Sequence, residues 1–181
     1  MLRVIAGSAK GVRLSTPPSD VRPTLDRVRE AVFSILHPRM AGARFLDLYA
    51  GSGANGIEAL SRGAAMCAFV DVNADAIRTV DENLDRAKLK HKSRSYRLTI
   101  PAALGVVAER EDPFDIVFCD PPYDTKDYEL LLTQIQASKL LAADGLVLIE
   151  HESKLELPDV VAALRCTRKA DYGRVRISFF A

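Results

Sequence analysis

The sequence has little from which to build a disulfide framework or a zinc site. Its three cysteines, Cys67, Cys119 and Cys166, are far apart, odd in number and without CxxC or Cys/His ligand spacing. A reducing compartment suits such a chain. Long hydrophobic runs are missing too: no segment approaches the roughly 18 apolar residues of a membrane span, and MLRVIAGSAKG at the start holds no signal-peptide-like apolar stretch. These absences predict a cytoplasmic protein with no membrane attachment. No internal repeat or low-complexity segment is present. His37, His91 and His151 form neither a triad nor a metal pattern, so no metal is expected and each is predicted to be structural.

Net charge is nearly absent at +1, but it is unevenly spread. Residues 1–44 carry eight Lys/Arg against three Asp/Glu, a net of +5, and the remainder is slightly acidic. A basic leader predicts a local anion-binding surface. At 181 residues, 48% of them hydrophobic, the chain is sized for one α/β domain with a small appendage.

Two short β-like runs, 3–6 and 12–14, flank Gly7 and Gly11 and predict a small hairpin. A helix is predicted over LDRVREAVFSIL, with Thr24 as N-cap. Strands (44–49, 66–71, 94–98, 115–119, 145–150) then alternate with helices (55–62, 74–89, 102–109, 128–141). The tail reads as a helix near 158–164 and two β-like runs joined only by Tyr172-Gly173, too short a link for a parallel crossover. This alternation predicts a Rossmann-like α/β fold, a mostly parallel seven-stranded sheet with an antiparallel C-terminal strand and the N-terminal hairpin as an extension. It divides into residues 1–40, a basic hairpin-and-helix extension, and 41–181, the α/β domain.

In such a sheet ligands sit outside the carboxyl ends of the strands. FLDLYAGSGANGIEAL covers the first of these ends. Its Gly51-x-Gly53-x-x-Gly56, with Asp71 twenty residues after Gly51, fits a dinucleotide fingerprint and on its own suggests NAD. Asp47 is an acid within an apolar strand, predicted to order the loop or to meet a cationic ligand. Asp71 ends the next strand, where an acid can accept both hydroxyls of a ribose, whether from NAD or from S-adenosylmethionine.

Asp120-Pro121-Pro122-Tyr123 follows a later strand at the same edge and separates the two cofactors. Consecutive prolines stiffen the turn and contribute no N–H. A carboxylate and a rigid carbonyl can grip the two hydrogens of a planar amine, and Tyr123 offers a face for stacking a base.

LDLYAGSG with Asp71 and DPPY resembles class I S-adenosylmethionine-dependent methyltransferases acting on exocyclic amines. The likeness is closer to the RsmD family of small-subunit ribosomal RNA guanine-N2 methyltransferases, and it extends over RVIAGSAKGVRL, RPTLDRVREAVFSIL, GSGANGIEALSRGA and LVLIEH. The resemblance implies S-adenosylmethionine as cofactor, held by Asp47, Tyr49, Gly51, Ser52, Gly53, Asp71, Asn73 and Thr99. It implies catalysis by Asp120, Pro121, Pro122 and Tyr123, with small-subunit rRNA, free or within an assembling ribosomal particle, contacted by Arg3, Lys10, Arg13, Arg22, Arg27 and Arg29. The chain departs from the family in carrying Asp71 for Glu and Asn73 for Asp. It also lacks an acid in RLTIPAAL, so adenine must be held by backbone groups, by Thr99 or by apolar packing. DPPY also serves adenine-N6 methylation of DNA or RNA, and a noncatalytic RNA-binding assembly factor is the rival of a different class. The basic run Arg86, Lys88, Lys90, His91, Lys92, Arg94 and Arg97 reads equally as RNA contact or as helix-terminus charge.

Overall fold

The apolar runs bounded by glycine, proline and charge become the strands of one sheet in the computed structural model, which describes residues 2–18, 26–122, 125 and 127–181. In chain order the elements are α1 (Asp26–Met40), β1 (Arg44–Leu48), α2 (Ala54–Ser61), β2 (Met66–Asp71), α3 (Ala74–Ala87), a 3-10 turn (Lys90–Lys92), β3 (Ser93–Arg97), α4 (Ile100–Arg110), β4 (Phe114–Cys119), α5 (Tyr128–Ala137), β5 (Leu141–Glu152), β6 (Val160–Val161), β7 (Leu164–Tyr172) and β8 (Val175–Phe180). The sheet order is β3-β2-β1-β4-β5-β8-β7-β6. The first five are parallel neighbours and the last three add antiparallel. The sheet therefore has eight strands, one more than the pattern predicts: β8 is the expected strand that runs against β1–β5, β7 runs with them, and the two-residue β6 is the addition.

Side-chain alternation along β1 explains both the core and the site. Phe45 enters one apolar cluster with residues of α1, α2 and α3, while Leu46 and Leu48 enter a second with α4 and α5. By the same two-residue period Asp47 shares the face of Phe45 and meets α2. Phe33, Phe45 and Phe118 form a stacked series with ring centroids 6.1 and 6.5 Å apart. Each such pair contributes about 0.5–1.5 kcal/mol beyond its area.

The N-terminal hairpin forms as expected, with Val4 N donating to Val12 O (2.9 Å) and Leu14 N to Leu2 O (3.0 Å). Its Leu2, Val4, Ala9 and Leu14 join the cluster of α1 and α2, so the extension shares a core with the rest of the chain. The helix expected near 158–164 is absent: that stretch holds β6 and a turn with Ala162 at φ 52. α5 stops at Ala137 and β5 begins at Leu141, with Lys139 at φ 60 making the reversal between them. Thr24, the expected N-cap, lies outside the described residues.

Candidate functional site

The carboxyl ends of β1, β2 and β4 are adjacent, because β1 pairs with both of the others. The chain leaves β1 through Tyr49 at φ 63 and passes through Gly51 at φ 53 and Gly53 at φ 75 before α2 begins. Left-handed backbone at three of five successive residues makes a tight loop, and glycine takes two of those positions without a Cβ penalty. Gly56 has a different job. A Cβ there would stand 2.3 Å from Phe69 Cε1 and 2.6 Å from Cys67 Sγ, so its bare backbone lets α2 lie close on β2.

Asp71 holds the loop from the next strand. Its Oδ2 accepts from Gly51 N (2.9 Å) and its Oδ1 from Asn73 N (2.8 Å). Asn73 in turn caps α3 by accepting from Asp75 N (2.8 Å). Asp47 is buried and accepts from Gly56 N (2.9 Å) near the start of α2. Burial pushes its carboxyl up to about 8, with the Gly56 bond opposing and the charges of Asp120 and Asp71 adding to the rise. Burial likewise raises Tyr49 to about 12. The carboxyls of Asp47, Asp71 and Asp120 thus lie close enough to interact at this corner, although burial is the larger cause of both shifts.

Asp120 follows β4, its backbone N donating to Leu48 O at the end of β1 (3.4 Å). Pro121 is buried and Pro122 exposed. The Pro122 carbonyl accepts from Thr125 N (2.9 Å), which closes the turn and leaves Pro121 as the candidate acceptor for an amine. Tyr123 lies outside the described residues. Thr99 precedes α4 and is exposed, and its side chain makes no cap bond. His151 is buried between Glu152 O (2.9 Å, Nδ1) and Ser178 Oγ (2.8 Å, Nε2), and burial lowers its pKa, in keeping with a structural role.

The leader arginines divide. Arg3, Lys10, Arg13 and Arg27 are exposed, and Arg22 lies outside the described residues. Arg29 is instead buried: its Nη2 donates to Arg3 O (2.6 Å) and Asp26 Oδ1 (2.9 Å), and Glu58 stands 3.9 Å from its Nε. Its guanidinium binds the hairpin and is not presented to RNA.

Two buried polar residues went unread in the sequence. Glu58, in α2, accepts from Ile5 N (2.8 Å), Ala6 N (3.0 Å) and Arg62 Nε (2.6 Å), so it seats the hairpin. Asn83, in α3, is fully enclosed: its Nδ2 donates to Ser15 O and Ser52 O (2.9 Å each), and its Oδ1 accepts from Ser15 N (2.8 Å) and Arg86 Nη1 (3.3 Å). One side chain thus joins the segment after the hairpin to the glycine loop. A polar residue on the apolar face of a strongly amphipathic helix was the available signal.

Comparison with known proteins agrees over the whole chain. The family described as Conserved hypothetical protein 95 matches residues 2–181. YlbH of Bacillus subtilis (strain 168) is 42% identical over 180 residues, 99% of this chain and 98% of YlbH. Ribosomal RNA small subunit methyltransferase D of Escherichia coli (strain K12) is 35% identical over 175 residues, 96% of this chain and 86% of that protein. Among solved structures, yhhF of Escherichia coli matches with a TM-score of 0.85 at 31% identity, over 99% of this chain and 96% of its own. On a match spanning nearly every residue and relatives well above 30% identity, the chain belongs to the RsmD family, described as Conserved hypothetical protein 95.

Proposed function

We propose that the protein transfers a methyl group from S-adenosylmethionine to the exocyclic N2 of a guanine in small-subunit ribosomal RNA, in the cytoplasm. The observation that carries this reading is the convergence of the Gly51–Gly53 loop, Asp71 and Asp120-Pro121-Pro122 at the ends of three adjacent parallel strands. The name of the Escherichia coli relative supports both the reaction class and the RNA substrate.

The donor set fits a cationic nucleoside cofactor. A carboxylate has about four lone-pair sites, and Asp71 spends two on Gly51 N and Asn73 N. Two remain for the ribose hydroxyls. Asp47 and Tyr49 flank the loop and Ser52 lies within it, the interacting carboxyls of Asp47, Asp71 and Asp120 would attract a cation there, and Asn73 borders Asp71. Thr99, with its uncapped hydroxyl at the start of α4, is the group offered to the adenine edge. S-adenosylmethionine supplies, when bound, an electrophilic methyl group on a sulfonium.

The chain's own task is to make a poor nucleophile react. An amine conjugated to a base ring must be oriented and rehybridised. Asp120 accepts one amine hydrogen and the Pro121 carbonyl the other, which aims the nitrogen lone pair, and Pro122 and Tyr123 complete the clamp by rigidity and stacking. The gain comes from positioning and electrostatic preorganisation. The target base must be flipped out or already unpaired to reach this edge. Residues 1–40, through Arg3, Lys10, Arg13, Arg22 and Arg27, would grip RNA, free or in an assembling particle, and residues 41–181 would carry the chemistry. No described group of His, Cys, Asp and Glu is arranged to hold a metal.

Asp120→Ala and Tyr123→Ala test the assignment. Both should lose most methyl transfer while binding S-adenosylhomocysteine within a few fold of wild type. Loss of cofactor binding with turnover retained at saturating cofactor would show that DPPY does not serve the base.

A further inference from the structure

Residues 86–97, RAKLKHKSRSYR, contain six Lys/Arg and a histidine without a single acid. The segment closes α3, reverses at Lys88 (φ 60), passes through the 3-10 turn and enters β3, the edge strand of the sheet. Buried Leu89 anchors it, while Arg86, Lys88, Lys90, His91, Arg94 and Arg97 are exposed. Charge near a helix C-terminus complements the helix dipole, but that effect fades within the last turn. It accounts for Arg86 and Lys88 and not for Arg94 or Arg97 on a strand.

Two contacts fix where this segment lies. At one end Arg86 Nη1 donates to Ser15 Oγ (3.0 Å) and to the carbonyl of exposed Arg13 (3.3 Å), so the segment begins against the hairpin, whose residues 2–18 also contain no acid. At the other end Arg97 pairs in register with Asp71, at the edge assigned to the cofactor. The five residues of β3 span about 16 Å at ~3.3 Å each. Between hairpin and cofactor edge runs a strip of positive charge bounded by Asp81, which pairs with Lys90 and accepts from Ser95 Oγ (2.7 Å), and by Glu111, which accepts from Tyr96 Oη (2.7 Å).

We propose that Arg86–Arg97 is a second RNA-contacting surface, continuous with the hairpin, that tracks phosphates along the edge strand to the catalytic edge. This rests on the proposed action on ribosomal RNA. A regularly spaced polyanion fits a strip; a small anion would need only one cluster. Arg86 supports the hairpin and is left intact in the test, which combines Lys88→Gln, Lys90→Gln, Lys92→Gln and Arg94→Gln.

Binding of an unmodified small-subunit rRNA transcript would be measured across a salt series, with S-adenosylhomocysteine calorimetry and thermal melting as checks of folding. Each lost phosphate contact lowers the slope of log K against log salt by about 0.7–0.9. The quadruple variant should lose at least about 1.4 slope units, two contacts, with cofactor affinity unchanged. A second variant, Lys10→Gln with Arg13→Gln, should lose slope independently. An unchanged slope in the quadruple variant, with slope lost in the hairpin variant, would overturn this surface alone. Wild-type protein that shows no salt-dependent RNA binding would overturn it together with the proposed function.

Discussion

Replacing Asn83 by alanine removes a side chain whose four hydrogen-bonding positions are all used, two of them on Ser15 backbone, one on Ser52 O and one on Arg86. A buried polar group left without a partner costs about 1–3 kcal/mol. Ser15 is half-buried and can recruit water, whereas Ser52 is buried, so the loss should be about 2–4 kcal/mol in all. For a chain of this size that lowers Tm by about 5–15 °C. Because Ser52 sits between Gly51 and Gly53, the loosened loop should also bind S-adenosylhomocysteine about five- to thirty-fold more weakly, the equivalent of 1–2 kcal/mol. Leu132→Ala is the control: that leucine is buried in the cluster of α5, on the other face of the sheet, and its truncation costs about 2–5 kcal/mol. Calorimetry and melting on both variants separate stability from site geometry. If Asn83→Ala melts earlier yet binds as wild type, or if Leu132→Ala weakens binding equally, the proposed joint between the hairpin and the cofactor loop is refuted.

Gly56→Ala should destabilise by about 1–3 kcal/mol through its clash with Phe69 and Cys67. Gly105→Ala, in α4 with open space around its Cβ position, should instead gain about 0.5–1 kcal/mol; melts that move in the same direction for both would contradict the packing account. Asp71→Ala should weaken S-adenosylhomocysteine about tenfold or more, through lost charge-assisted bonds to ribose, and equal calorimetric affinities would remove Asp71 from the site. Asp47 carries a proton below about 8, and a sulfonium favours its ionised form, so a bound cation must displace that proton at lower pH. The affinity of S-adenosylmethionine relative to uncharged-sulfur S-adenosylhomocysteine should therefore rise between pH 6 and 8, by at most about tenfold per unit; a flat ratio would exclude the coupling.

The strands that form the site were legible because each is a short apolar run with punctuation on both sides. Strands predicted at 44–49, 66–71 and 115–119 correspond to β1, β2 and β4 within a residue. The tail was harder: VVAALR is too short for periodicity to separate helix from strand, and its outcome depends on pairing with β7. The early end of α5 was equally hidden, since Leu140 and Leu141 continue its apolar pattern while Lys139 reverses the chain. In the sequence Arg29 groups with its neighbours as an RNA contact, because arginine in an amphipathic helix is usually exposed. Its burial depends on Arg3 O, Asp26 and Glu58, and two of those partners are distant in sequence. Glu58 and Asn83 escaped for the same reason, their partners being mostly backbone groups 31 to 68 residues away.

The central claim is tested most directly by the chemical identity of the product. Purified protein, S-adenosylmethionine carrying a labelled methyl group and unmodified small-subunit rRNA, free or in a reconstituted particle, would be incubated and the RNA digested to nucleosides for mass spectrometry. The account predicts label in N2-methylguanosine, and its loss with Asp120→Ala. Label in N6-methyladenosine, or no label with either form of the RNA, would contradict it.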